Sequence, residues 1–253
     1  MISKTPKEIK KIRKANKLVA EAHLLVEKAI KPGISTLELD SIVTKYFKEK
    51  NITPAFLGYR GFPATTCLSV NEEIVHGIPS KERILRDGDI IAVDIGSIVK
   101  KYYGDAAKTY PVGAISEELK KLLFHNKQAL YEAIKVAKPG NTIRDIANTI
   151  KSYAVMWGYE VVTNYGGHGV GKKLHEEPFV PNEALSTYRD DLNVKIVPGM
   201  TIAIEPMFCL GSSENKVLAD NWTVVTKDGK PAAHFEHTIA ITEKGNEILS
   251  SLD

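Results

Sequence analysis

Cysteine is scarce in this chain: two, Cys67 and Cys209, among 253 residues. Neither has a Cys-x-x-Cys neighbour or a zinc-type spacing, so a reduced, cytoplasmic protein is expected rather than a disulfide framework. Long apolar runs are missing as well; none approaches the ~20 residues of a membrane span. The first residues are polar and lysine-rich, without a secretory apolar region. The chain is therefore expected to be complete, soluble and intracellular, with no membrane partner. Charge of one sign is also in short supply. The formal net charge is +3, with 26% charged residues, too weak an excess to argue for DNA. The one local excess is Lys4, Lys7, Lys10, Lys11, Arg13, Lys14 and Lys17. A solvated helix face accounts for it; a transient contact with an acidic surface such as ribosomal RNA is the sharper alternative.

What is present is ample apolar material, 43% of the residues, enough for one large domain or two small ones. The stretch from Gly88 to Asp105 organises the rest. Ile90, Ile91, Val93 and Ile95 are β-branched, and Gly96-Ser97 punctuates the run, which predicts a strand, a tight turn and a second strand. Asp94 lies inside the first run and Asp105 follows eleven residues later. If the runs pair as a hairpin, both carboxylates can share one face. Buried carboxylates without a partner are very costly, so strong cations or a metal should lie near.

Apolar residues at spacings of three and four predict a helix from residue 7 to about 30, stopped by Lys31-Pro32-Gly33. Ser35 and Glu38 form a capping-box pattern for a second helix ending near Asn51. The second half repeats the plan: a helix after Ser116 is stopped by Lys138-Pro139-Gly140, and Thr142 opens another. Gly88 to Asp94 lines up with Gly199 to Glu205, each a glycine, an apolar strand and a carboxylate six residues on. His76-Gly77-Ile78 and His168-Gly169-Val170 precede the two strands. The expectation is one domain, 1–253, with pseudo-twofold halves of about 1–112 and 113–253, and with Asp94 facing Glu205 across the axis. Near the C-terminus, Trp222 to Thr226, the turn Lys227-Asp228-Gly229-Lys230, and Ala233 to Ile241 read as a hairpin, with Glu236 inside its second strand.

The candidate constellation is Asp94, Asp105, His168, Glu205 and Glu236. Taken singly, Asp94 reads as a strand-end carboxylate paired with lysine or arginine, and His168 as a hydrogen-bonded loop histidine. The repeat register brings Asp94 and Glu205 together and favours a metal site. An oxygen-rich set with one imidazole suits Mn, Fe, Co or Zn, and four carboxylates balance two divalent ions. Two ions about 3.5–4 Å apart can share a water and lower its pKa to about 7. The reaction class is metal-assisted hydrolysis.

Five stretches then resemble one family: Ser69 to Pro79, Asp94 to Asp105, Gly167 to Pro178, Ile204-Glu205-Pro206, and Trp222 to Thr238. In order and spacing the chain is similar to the type I methionine aminopeptidases, short bacterial-type members of the pita-bread metallopeptidases, over nearly its whole length. The resemblance implies an α+β pita-bread fold, a curved antiparallel sheet flanked by helices. It implies a dinuclear site with Asp105 and Glu236 bridging, Asp94 on one ion, and His168 and Glu205 on the other. It implies substrate contacts from His76 and His175, with Glu205 a candidate proton acceptor, and a methionine pocket of Tyr59, Phe62, Cys67 and Trp222. The implied reaction removes the initiator methionine from nascent polypeptide N-termini when the second residue is small, and a monomer is usual for such forms. Phe56 stands where cysteine is frequent, Leu174 where an aromatic is frequent, and Gly96 where threonine is frequent. An Xaa-Pro peptidase of the same fold and a non-catalytic, partner-binding pita-bread protein are the rivals; the five filled ligand positions speak against the second.

Overall fold

The computed structural model describes residues 3–252. Helix α1 (Pro6–Ala29) begins where Thr5 caps it, with Pro6 in the first turn and Glu8 closing the box. Its buried positions, Ile12, Ala15, Asn16, Val19, Ala22, His23 and Val26, form one face. Helix α2 (Thr36–Glu49) carries the Ser35–Glu38 box. Helices α3 (Glu117–Val136) and α4 (Ile143–Trp157) are capped by Ser116 and by a Thr142–Asp145 box.

Every strand pair in the sheets is antiparallel, consistent with the α+β expectation. In the first half the Ile90–Val99 strand lies between Thr66–Val70 and Tyr102–Pro111. Its odd-numbered residues Ile91, Val93 and Ile95 pack with Val19, Val26, Leu39 and Phe47 of α1 and α2. In the second half Thr201–Ile204 lies between Gly166–Gly169 and His237–Thr242. There Ile202, Ile204, Ile239 and Ile241 pack with Leu122, Leu130, Ile146 and Ile150 of α3 and α4. Each such fully buried aliphatic contributes about 1.5–3 kcal/mol, so the helices hold each sheet on one face and leave the other for the site.

Similar local features recur along the backbone. Gly33 and Gly140 both take a left-handed φ, +91° and +98°, at the helix-to-helix turns. The bridge Ser35–Ile84 has its counterpart in Thr142–Lys195. The hydrogen bond from Gly88 N–H to Val112 O matches that from Gly199 N–H to Ile241 O.

Three expectations need correction. The Gly96-Ser97 turn does not form: the strand runs on to Val99, and the reversal is at Lys100-Lys101, both with positive φ, as a two-residue hairpin requires. The C-terminal hairpin does not form either. Val224–Thr226 pairs with Asn215–Val217 and Glu73–Val75, whereas Ala232–His234 pairs with Met207–Cys209. Glu236 lies in the break before His237–Thr242 rather than inside a continuous strand. Finally, His76 is not the repeat partner of His168. Gly169 faces Ile202 as Val70 faces Ile91, so continuing the register matches His168 to Ser69.

Candidate metal centre

Asp94 pairs with Ala107 and Gly96 with Asp105, so the two aspartates are diagonal neighbours on one face of the hairpin. Asp105 sits on the strand edge that turns away from Ile90–Val99. Its N–H donates to Asn16 Oδ1 of α1 at 3.1 Å, and its carbonyl accepts from Thr238 Oγ1 at 2.7 Å. Glu236 joins the same seam, its N–H donating to Ala107 O at 2.8 Å. These cross-links bring the carboxylates of the two halves together.

His168 enters from Gly166–Gly169. Its Nδ1 is 3.0 Å from Gly169 O, an acceptor only, so Nδ1 carries the hydrogen and Nε2 presents its lone pair. That Nε2 is 3.7 Å from both Asp105 Oδ2 and Glu205 Oε1. Ligand atoms of Asp105, His168 and Glu236 lie within 4.8 Å of one another. Glu205 follows the Thr201–Ile204 strand directly, and Asp94 and Glu205 line the same cavity.

The electrostatics are those of acceptors crowded together. Asp94 Oδ1, Asp105 Oδ1 and Glu236 Oε1 are buried without a hydrogen-bond partner. Burial pushes Asp94 up to about 7. Burial, then the neighbouring carboxylates, push Asp105 and Glu236 well above the carboxylate range. The charged groups acting on these three are the carboxylates themselves and His234, with no lysine or arginine among them. The salt-bridged alternative for Asp94 therefore lacks its cation. Burial alone would raise Glu205 too, but the imidazoles of His234, His168 and His175 that face it outweigh burial and the group stays below its ordinary value. A buried set of oxygen acceptors and one free imidazole nitrogen, lacking counter-charge, fits divalent cations.

The cluster forms the floor of a cavity of about 650 Å³. His76, at φ +60°, is set between Tyr165 and Trp222 with both rings edge-on. His175 is 2.8 Å from Tyr59 Oη through Nδ1, and its ring centroid is 4.2 Å from that of His168. The Glu176–Pro181 strand starts directly after His175. Desolvation first, then His168, pushes His175 down to about 3, and desolvation also lowers His76, so both rings are neutral at pH 7. An apolar wall of Phe56, Phe62, Cys67 and Leu174 with Tyr59 and Trp222 completes the cavity. Phe62 and Trp222 meet edge to face at 5.1 Å.

Gly96 and Phe56 are a matched pair. A Cβ on Gly96 would stand 2.5 Å from Phe56 Cε1 and 2.8 Å from Ala55 Cβ, so the ring lies in the room that the missing side chain leaves. Sequence reasoning passed over His234, which is buried with Nε2 3.3 Å from Glu205 Oε2. The one available signal was its place two residues before Glu236. It also passed over Asn16, a polar residue on the apolar face of α1. The N-terminal cations are not all solvated, because Lys4 Nζ pairs with Glu176 Oε2 at 2.7 Å in a mostly buried setting.

Residues 10–243 match the metallopeptidase family M24 profile. The chain belongs to metallopeptidase family M24. This M24 chain is 50% identical to Methionine aminopeptidase 1 of Bacillus subtilis over 250 residues, 99% of each chain. It is 46% identical to the methionine aminopeptidase of Aquifex aeolicus, over 97% of each. The solved methionine aminopeptidase of Thermotoga maritima superposes with a TM-score of 0.95 at 44% identity, covering 99% of both chains. The prolidase of Pyrococcus horikoshii gives 0.80 at 26% identity, with 64% of its length covered. Within M24 the chain falls with the methionine aminopeptidases, in the pita-bread fold, as a metal-dependent peptidase that binds divalent metal. Among the described residues no helix is long and apolar enough to cross a membrane.

Proposed function

We propose that this M24 peptidase removes the initiator methionine from nascent polypeptides whose second residue is small. The observation that carries the reading is the set of buried, partnerless carboxylate oxygens opening onto an apolar, aromatic-walled cavity. Asp94, Asp105, His168, Glu205 and Glu236 would hold two divalent ions, drawn from Mn, Fe, Co and Zn. Bound there, the ions supply a lowered water pKa and polarisation of the scissile carbonyl.

The chain's own groups do the rest. Tyr59, Phe62, Cys67 and Trp222 receive the methionine side chain, whose thioether packs well on aromatic edges. His76 and His175 are neutral and can each donate an N–H to the carbonyl oxygen as it gains charge. The Tyr59 hydroxyl at His175 Nδ1 leaves the other ring nitrogen for that task. Glu205 is the candidate proton acceptor. The aromatic wall excludes water from the bond being cut. Residues 1–253 act as one catalytic domain, as a monomer in the cytoplasm. The exposed Lys7, Lys10, Lys14 and Lys17 of α1 give a transient ribosome contact. Charge reversal at these four that leaves ribosome co-sedimentation unchanged would remove that last element.

The test is hydrolysis of Met-Ala-Ser beside Ala-Ala-Ser and Met-Pro-Phe, after chelation and after adding back each metal singly. Metal-dependent release of methionine, and not of alanine, is expected. Turnover that survives thorough chelation would overturn the metal reading, and folded protein inactive with every metal would overturn the peptidase reading.

A further inference from the structure

His234 is the one imidazole at the floor of the cavity to which neither the sequence motifs nor the reaction above gives a task. It is 2% exposed. Its backbone is fixed from both sides by one residue: His234 N–H donates to Thr109 Oγ1 at 2.9 Å, and the Thr109 hydroxyl donates to His234 O at 2.7 Å. The strand Ala232–His234 also pairs with Met207–Cys209, setting His234 opposite Met207, two residues after Glu205. The ring is thus delivered beside Glu205 by strand pairing, with little freedom to move elsewhere.

Its Nε2 is buried and makes no formed hydrogen bond. It lies 3.3 Å from Glu205 Oε2. The other oxygen, Oε1, is 3.7 Å from Nε2 of His168, the nitrogen left bare in the neutral ring by the Nδ1–H donated to Gly169 O. Glu205 therefore stands between two imidazoles of opposite character. One can offer an N–H; the other offers only a lone pair. Two acceptors 3.7 Å apart need a cation between them, and a carboxylate free to rotate would present that seat only part of the time.

We propose that His234 is a positioning residue for Glu205: its Nε2–H donates to Oε2 and so holds Oε1 on the metal-facing side beside His168. The inference rests on the reading of Glu205 as a metal ligand. Groups that orient ligands in this way are worth about 10–100-fold in metal affinity. The role asks for a donor at the Nε2 position and for no particular charge.

Three variants separate this role from simple packing. Glutamine reaches as far as Nε2 with an amide N–H, asparagine reaches only as far as Nδ1, and methionine fills the space with no donor. Mn²⁺ affinity is measured calorimetrically on metal-free protein, with the melting temperature of the metal-free form recorded beside it. His234→Gln is expected to bind within about threefold of wild type, and His234→Asn and His234→Met about 10–100-fold more weakly. Asparagine binding as tightly as glutamine would overturn the role. So would wild-type affinity in the methionine variant. Should the variants not fold, the unsubstituted protein still decides: imidazole nitrogen NMR of the metal-free form is expected to show His234 with its hydrogen on Nε2. A bare Nε2 would overturn the proposal. Wild-type protein that binds no Mn²⁺ would overturn the ligand reading of Glu205 as well, and that result is distinct from one in which wild type binds and the variants match it.

Discussion

Replacing Lys4 with methionine isolates one buried charge pair that ties the start of the chain to the loop bearing His175. Lys4 Nζ lies 2.7 Å from Glu176 Oε2, with side-chain exposures of 7% and 17%. The other carboxylate oxygen accepts from the N–H groups of Lys172 and Lys173 at 2.8 and 3.2 Å. Lys4 itself is anchored, its N–H donating to Gly199 O at 2.8 Å. Removing one partner of a buried pair costs about 3–5 kcal/mol, because the other charge is left uncompensated. Here Glu176 keeps two backbone donors and some solvent, so about 2 kcal/mol is the reasoned loss. In a chain of this size each kcal/mol moves the melting temperature by about 2–4 °C, giving a fall of ~4–8 °C. Adding Glu176→Gln removes the stranded charge while its carbonyl still accepts from the loop, and should recover part of the loss. The assay is thermal unfolding of the single and double variants, with hydrogen exchange of residues 171–177 as the local readout. A Lys4→Met melting temperature within 1 °C of wild type, on the order of the scatter between surface variants, would show that the pair adds no stability. A double variant less stable than the single would refute the reasoning.

Metal removal should reveal a pH dependence. Asp94, pushed up to about 7, and Asp105 and Glu236, raised well above the ordinary carboxylate value by burial and by one another, keep protons in the folded metal-free protein that the unfolded chain has released. Their contribution to the stability of that form therefore falls as pH rises from the ordinary carboxylate range through about 7, and metal loading should flatten the slope; a rising slope in chelated protein between about pH 6.5 and 7.5, above the titration of unfolded-chain histidine, would contradict it. Below about pH 6.5 His23 at about 3 and His237 at about 4 act in the opposite sense: they stay neutral inside the fold while unfolded-chain histidines bind protons, so their contribution to stability is lost as pH drops and the net slope is shallower there. Gly96→Thr should displace the Phe56 ring into the cavity and raise KM for Met-Ala-Ser on the order of tenfold or more, a cost of about 1–3 kcal/mol for overpacking; Phe56→Cys in the same chain should restore it, and equal KM in single and double variants would sink the pairing. Asn16→Leu removes the acceptor for the Asp105 N–H and should destabilise by about 1–3 kcal/mol; an unchanged denaturant midpoint would count against that hydrogen bond.

The legible and illegible parts of this chain differ in kind. Helix starts were readable because Ser35–Glu38 is a local signal made by residues three apart. Gly88 to Asp94 and Gly199 to Glu205 share a glycine-to-carboxylate interval that is a local pattern, and both carboxylates line one cavity. The Gly96-Ser97 turn misled because the glycine answers a distant demand, the Phe56 ring, and not a local turn. Lys100 and Lys101 take positive φ with no glycine or asparagine to announce it. The break at Glu236 follows from which neighbours the two flanking strands find, Met207–Cys209 and Thr201–Ile204, and pairing partners are not written in the run itself. Lys4 looked like one more solvated cation because its partner is 172 residues away.

The seam between the halves has a temporal consequence. Synthesis runs from the N-terminus, and the first half carries only Asp94 and Asp105. The Thr238 hydroxyl on the Asp105 carbonyl, the Glu236 N–H on Ala107 O and the Thr109–His234 pair all wait for the last twentieth to tenth of the chain. A partly made molecule therefore has two mutually repelling carboxylates and no seat for an ion. On the proposed ligand set, metal uptake would be deferred until the Glu236 segment docks, and bound metal would then fasten early-made strands to late-made ones.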